Sequence, residues 1–227
     1  MPPGADARPA SDSVSDLPWD EAEPEAVVSD PLEPVNRFFF VFNDTLYFWV
    51  LKPVATGYGE VVPLGVRTSA RNFFSNVATP VRLGNCLLQG KFEGAGTELL
   101  RFVINTTLGV GGLGDPAGTR FNLKGCNEDL GQTLGVYGLG QGFYIVWPVL
   151  GPSSVRDTLG DAGDSFLDPV LYLVPSLPAR LGIEAFDRIN EVSLTIGAYE
   201  ALKKAALDPY VALRDAYLQR RQSLVKD

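Results

Sequence analysis

Apolar residues recur at helical spacing over most of the chain. Leu181, Phe186, Ile189, Val192 and Ile196 stand three to five apart, the period of an amphipathic helix. Val211, Leu213, Tyr217 and Leu218 repeat less regularly, with Arg214, Asp215, Arg220 and Arg221 on the other side. The pattern predicts helices over 31–42, 44–52, 66–76, 80–89, 93–107, 179–205 and 209–222. Asp30-Pro31, with Glu33 behind it, reads as a helix start. The same device recurs at Thr79-Pro80, Asp115-Pro116, Asp168-Pro169 and Asp208-Pro209. Each offers a side-chain acceptor for orphan N–H groups and a ring pre-set to helical φ. Between 109 and 152 the helical signal fails, and "FNLKGCNEDLGQTLGVYG" predicts a short hairpin turning at Lys124-Gly125.

Two stretches are too apolar for an ordinary amphipathic helix. Residues 38–51 hold "FFFVF" and "LYFWVL" with one acid, Asp44. Residues 130–155 carry no charged side chain, a length that would span a bilayer. Their six glycines and two prolines make a poor lone transmembrane helix. Either both are buried core, or the protein meets lipid without crossing it as a single helix.

Composition narrows the chemistry. The chain has 227 residues, a net charge of −8 and no histidine, so Ser-His-Asp catalysis and His-based zinc sites are excluded. Eight acids against Arg8 alone fall within the first thirty residues, so nearly all the net charge sits there. That segment is expected to be a disordered acidic tail over 1–29, followed by one helical domain over 30–222 and a short tail over 223–227. No basic stripe exists for nucleic acid. Ser153 and Ser154 lie outside any G-x-S-x-G elbow, which argues against a serine hydrolase. Arg156 and Asp157 read as a structural pair. Asn72, Asn76, Asn105, Thr106 and Thr107 read as caps and buried hydrogen-bond partners. Cys86 and Cys126 are the only cysteines; whether they pair is open. "MPPGADARPA" lacks the apolar run of a signal sequence, leaving two readings, a cytosolic protein or a mature chain without its leader.

"LGVGGLGD" (108–115) matches the G-x-G-x-x-G spacing of dinucleotide-binding turns. The context contradicts it. The preceding "GTELLRFVINTTL" reads as a helix rather than a strand, and Asp115-Pro116 follows where a long helix should begin. The glycines are better explained by positive φ and close backbone approach at a helix end.

Six segments in order carry a resemblance: "DPLEPVNRFFFVFN" (30–43), "VPLGVRTSARNFFSNVATP" (62–80), "NCLLQGK" (85–91), "RFVINTTLGVGGLGDPA" (101–117), "DLGQTLGVYGLGQGFYIVWPVLGPSSVRDTLGDAGD" (129–164) and "DPY" (208–210). With these the chain resembles the MlaA/VacJ family of Gram-negative outer-membrane lipoproteins. The resemblance implies a mainly α fold, a single ring-like bundle of amphipathic helices with a short hairpin and Gly-rich segment, embedded in one membrane leaflet. It implies a non-enzymatic protein without cofactor or metal. Such a protein would pass mislocalised phospholipids from the outer leaflet through an amphipathic channel to a periplasmic lipid carrier, beside a trimeric porin. The alternative is a porin-associated structural protein that moves no lipid. The lipidated cysteine of the family does not occur in this chain, so localisation at the periplasmic side of the outer membrane, lipid-anchored in a full-length precursor, is an expectation. Family members tend to have Asp-Phe-Gly before "QTLG"; here Asp129-Leu130-Gly131 stands, and leucine keeps an apolar side chain.

In that light residues acquire expected roles. Phe38, Phe39, Phe42, Tyr47 and Trp49 are candidates for a membrane belt. Gly109, Gly111, Gly112 and Gly114 are candidates for a hinge or close-packed bend at the channel. Leu134, Val136, Tyr137, Phe143 and Tyr144 are candidates for its wall. Arg67, Arg71 and Arg180 are candidates for phosphate contact, because guanidinium matches phosphate bidentately.

Overall fold

The computed structural model describes residues 30–226; the expected acidic tail over 1–29 and the last residue lie outside them. The first helix starts later and runs longer than the pattern predicts. Helix α1 (Glu33–Leu46) continues through a π-helical turn (Tyr47–Leu51) into α2 (Lys52–Val61) with no break between. Leu32, not Asp30, holds the cap position. The Asp30 carboxylate instead receives the amide of Asn36 at 3.0 Å and the hydroxyl of Tyr210. Helices α3 (Leu64–Val77), α4 (Thr79–Leu88) and α5 (Phe92–Thr107) follow close to their predicted spans.

Four short helices escape the periodic pattern: α6 (Pro116–Thr119), α7 (Leu130–Val136), α8 (Val155–Asp164) and α9 (Pro169–Leu173). Their caps rather than their apolar faces define them. Asp115, Asp129, Ser154 and Asp168 each accept a backbone N–H from the first turn. Thr79 makes no such bond. The predicted 179–205 helix divides into α10 (Leu177–Thr195) and α11 (Ala198–Ala205), because Gly197 turns left-handed at φ 98°. Helix α12 (Pro209–Lys226) runs past the predicted end at 222.

The hairpin is real but misplaced. Strand β1 (Tyr144–Trp147) pairs antiparallel with β2 (Gly151–Ser154), Tyr144 opposite Ser154. Nothing forms at Lys124-Gly125, since α5 side chains occupy that backbone. Glu98 accepts the N–H of Cys126 at 2.7 Å, and Arg101 donates to the carbonyl of Leu123. Glu98 is wholly buried and also takes Arg82 Nε at 2.8 Å. Beside it Cys86 and Cys126 form a disulfide.

Helix α1 grips the hairpin through two asparagines seven residues apart, on one helical face. Asn36 donates to the Tyr144 carbonyl and accepts from Val146 N–H, each at 2.9 Å. Asn43 donates to the Trp147 carbonyl at 2.8 Å and accepts from Val149 N–H at 2.7 Å. From there the elements meet in a closed circuit: α2, α10, α3, α4, α7, α12, the hairpin, α1, and back to α2 through the π-turn.

Burial in this circuit is inverted. Among the described residues a single apolar cluster is buried, and it is small: Tyr144, Val146, Tyr210 and Leu218. The other large side chains with no exposure are amides, hydroxyls, Glu98 and the disulfide-bonded Cys86. Phe38, Trp49, Val61 and Leu173 are 67 to 82% exposed. A water-soluble domain places these classes the other way round. Among the described residues, no helix is long and apolar enough to cross a membrane.

Candidate functional site

Two hollows lie along one face of α10. Ile183, Glu184 and Asp187 line the first; Arg188, Glu191, Val192 and Thr195 line the second. Spaced one, three and four apart, these residues form a continuous helical stripe, about 18 Å long at 1.5 Å per residue.

The first hollow, about 470 Å³, opens between α10, α3, α4, α8 and the segment before α7. Its walls mix Phe74, Val77, Val81 and Ile183 with Glu128, Asp129, Asp161, Asp164, Asp168, Glu184 and Asp187 against the single cation Arg82. Burial is the leading reason that Asp161, Asp164 and Asp187 all titrate above the usual carboxylate range; like-charged neighbours add to it. Glu191 is the like charge at Asp187, and Arg188 opposes both effects.

The second hollow, about 250 Å³, is enclosed by α1, the π-turn, the hairpin, α10, α11 and α12. Its lining is chiefly apolar, including Phe40, Leu46, Leu51, Val146, Val192 and Leu213. Asp44 reaches it already neutralised, holding Lys203 at 2.7 Å and the Tyr199 hydroxyl at 2.9 Å. Lys52 pairs with Glu200 at 2.8 Å on the same flank. Burial first, then the Glu200 bond, pushes Tyr47 up to about 12. Glu200 falls to about 2, because Lys52 and neighbouring donors overcome the opposing effect of burial. These contacts fasten α11 over the π-turn, a helix defect that recurs at functional sites. Two hollows on one helix, one apolar and one rich in carboxylates, offer contacts of the two kinds that a molecule with an apolar body and a charged head requires.

The MlaA lipoprotein family model matches residues 28–224. The chain belongs to the MlaA lipoprotein family. It is 34% identical over 195 residues to the Escherichia coli intermembrane phospholipid transport system lipoprotein MlaA, covering 85% of this chain and 76% of that one. A Rickettsia conorii protein is 36% identical over 200 residues, covering 88% and 79%. A solved structure from work on the structural basis for maintenance of bacterial outer membrane lipid asymmetry superposes with a TM-score of 0.72 at 33% identity, covering 87% of this chain and 99% of that chain.

On this MlaA fold the residues singled out from sequence separate sharply. Phe38, Phe42 and Trp49 face outward, whereas Phe39 packs on the buried aromatic cluster and Tyr47 turns into the second hollow. Leu134, Val136, Tyr137, Phe143 and Tyr144 line neither hollow. Tyr144 is core and Tyr137 donates to the Leu88 carbonyl. The part of 130–155 that does reach a wall is Val146, Val149, Gly151 and Pro152.

The glycine bend stands away from both of these hollows, and Gly109 and Gly114 line a third, of about 500 Å³, with Ser69 of α3. The backbone of the bend is tightly packed. A Cβ on Gly109 would meet the Asn105 carbonyl oxygen at 2.3 Å, and one on Gly112 would meet Asn76 at 2.6 Å. Gly111 and Gly112 adopt φ of 71° and 91°, and Gly111, Gly112 and Gly114 each donate to a backbone carbonyl. Asn76 donates to Thr106 at 3.0 Å, and Asn105 donates to Asp115 and accepts from Ala117 N–H. This geometry is that of a packed bend.

Arg67 is committed to the frame. It donates to the Val62 carbonyl at 3.1 Å and the Ser193 carbonyl at 2.9 Å, joining α3 to α10. Arg71 is exposed, and Arg180 is half-buried with Nε unpartnered, but neither lines a hollow. The cation that does line the apolar hollow, Arg188, was missed. Sequence offered a signal for it, a lone arginine between Asp187 and Glu191 on the interior stripe of a strongly periodic helix. Ser154 caps α8 and Ser153 bonds Thr158, so both serines are structural. Among the described residues no group of three acids or cysteines is placed to hold a metal ion.

Proposed function

We propose that this protein draws stray phospholipids out of the outer leaflet of the outer membrane and hands them to a periplasmic carrier, thereby preserving lipid asymmetry. The inverted distribution of residues carries the reading. Phe38, Phe42, Trp49 and their exposed neighbours suit acyl chains, and the two hollows on the α10 stripe suit a charged headgroup with an apolar tail. Burying such rings in lipid yields about 25 cal/mol per Å², enough to seat the circuit in one leaflet without a spanning helix. Kinship with the E. coli phospholipid transport lipoprotein gives the direction of the reading. A trimeric porin beside the outward face and a lipidated N-terminal cysteine complete the proposal. No covalent step is required of the protein.

The test is complementation. The chain, supplied with a lipoprotein signal, is expressed in Gram-negative cells lacking their own MlaA, and phospholipid exposed on the outer leaflet is measured. Restoration of low surface phospholipid is expected. Correct outer-membrane insertion and porin association with surface phospholipid unchanged would leave only a structural role.

A further inference from the structure

The α10 stripe carries both signs of charge at its middle, Arg188 standing between Asp187 and Glu191, which lines the apolar hollow with it. Glu184 and Asp187 face the carboxylate-rich hollow, and Arg188 faces the apolar one. The three charges differ from most others in the frame. Arg37, Arg82, Arg101, Arg156, Arg214 and Arg221 each hold a carboxylate, whereas Arg188, Glu184 and Asp187 enter no ion pair or side-chain hydrogen bond among the described residues. The other acids of the first hollow are largely engaged. Asp129 binds Arg221, Glu128 binds Lys91 and Gln89, and Asp164 binds Asn85. A free cation therefore abuts two free acids, at the junction of an apolar and a polar hollow.

We propose that this junction reads a phospholipid headgroup as a zwitterion, Arg188 taking the phosphate and Glu184 with Asp187 taking the ammonium, so that ethanolamine phospholipids are bound in preference to phosphatidylglycerol. The inference deepens the transport reading and rests on it. A guanidinium fork fits two phosphate oxygens. The apolar hollow behind Arg188, small by the standard of ligand pockets, receives a segment of acyl chain rather than a whole lipid. An ammonium group adds a counter-charge for Glu184 and Asp187, which hold no ion-pair partner among the described residues. An anionic headgroup brings no such relief and meets repulsion from the same wall.

The experiment loads the full chain in detergent with an equimolar mixture of phosphatidylethanolamine and phosphatidylglycerol, and counts bound lipids by native mass spectrometry. Wild type is expected to favour phosphatidylethanolamine roughly fivefold, the size of a part-exposed charge contact. The Glu184→Gln/Asp187→Asn variant should bring the ratio near unity. Arg188→Gln should bind less of both lipids, and Arg188→Lys should recover much of the binding. Glu60→Gln, an exposed acid outside both hollows, should leave the ratio unchanged. Excess inorganic phosphate separates a lipid site from a simple anion site; displacement of the bound lipid by phosphate alone would overturn the proposal. Equal binding of the two lipids by wild type, or an unaltered ratio in the neutralised variant, overturns headgroup selection and leaves the transport reading standing. No bound lipid in any form overturns both.

Discussion

The circuit closes where α12 meets α7 and α8, and one side chain holds that joint. Arg221 donates to both oxygens of Asp129 at 2.6 and 2.8 Å and to both of Asp157 at 2.8 and 3.0 Å. Its side chain is 12% exposed, with Asp157 at 5% and Asp129 at 33%. Replacing Arg221 with Met preserves much of the packing volume but leaves Asp129 without its cation and Asp157 with Arg156 alone, at 3.1 Å. Removing one member of a buried ion pair costs about 3–5 kcal/mol. Asp129 is part-open to solvent and keeps Gln132 N–H at 2.7 Å, and Asp157 keeps the Tyr217 hydroxyl at 2.6 Å. The lower end, about 3 kcal/mol, is therefore expected. With a urea slope of about 2 kcal/mol per M, the unfolding midpoint should fall by roughly 1.5 M.

The sign of the pH dependence follows from the same contacts. Burial raises both carboxylates, but the Arg221 bonds and nearby donors outweigh it and hold them below their ordinary range. A depressed native pKa gives stability that is present above the unfolded value of about 3.9 and lost as pH falls through the native values. The gap between wild type and Arg221→Met should therefore be full at pH 7 and close on acidification. Urea unfolding in mild detergent, followed by circular dichroism at pH 7 and pH 3, measures it. A gap under about 1 kcal/mol at pH 7, or one that persists undiminished in acid, would refute the account of the joint.

Gly109→Ala should destabilise markedly, because its Cβ would meet backbone at 2.3 Å, whereas Gly114→Ala, with its nearest atom at 3.5 Å, should be tolerated; thermal unfolding of the two variants compares them. Asp187→Asn should raise stability near pH 7, since burial and Glu191 hold the native carboxyl above its unfolded value, and the gain should disappear below about pH 4, where both states are protonated. Reducing the Cys86–Cys126 disulfide, which joins residues 40 apart, should lower stability by about 3–4 kcal/mol in the chain-entropy account, read as the unfolding midpoint with and without reductant. With Trp19 and Trp147 replaced by Phe, the fluorescence of Trp49, 79% exposed, should shift to shorter wavelength when phospholipid vesicles are added, and an unchanged spectrum would argue against the belt.

The sequence by itself determined the mainly helical class, the family, and most of the long helices, because each of these rests on local pattern. The apolar period of α10, the Asp-Pro starts at Asp115, Asp168 and Asp208, and the six ordered segments need no knowledge of contacts. It also excluded the dinucleotide reading of "LGVGGLGD", since the helix before it is legible in "GTELLRFVINTTL". Whatever depends on which surfaces meet stayed out of reach. Glycine marks a turn at Lys124-Gly125, yet Glu98 and Arg101, more than twenty residues away in sequence, occupy that backbone. Asn36 and Asn43 look like ordinary helix residues until the hairpin lies across them. The wall candidates Leu134, Val136, Tyr137, Phe143 and Tyr144 share an uncharged stretch, but the hollows are lined by the α10 stripe together with residues of α1, the π-turn, the hairpin, α3, α4 and α8. Arg67, a candidate for phosphate contact by residue type, is bound by backbone carbonyls, whereas Arg188, which the sequence does not single out, lines the apolar hollow. Periodicity tells which residues share a face; only the closed circuit decides whether that face looks outward, toward the frame, or into a hollow.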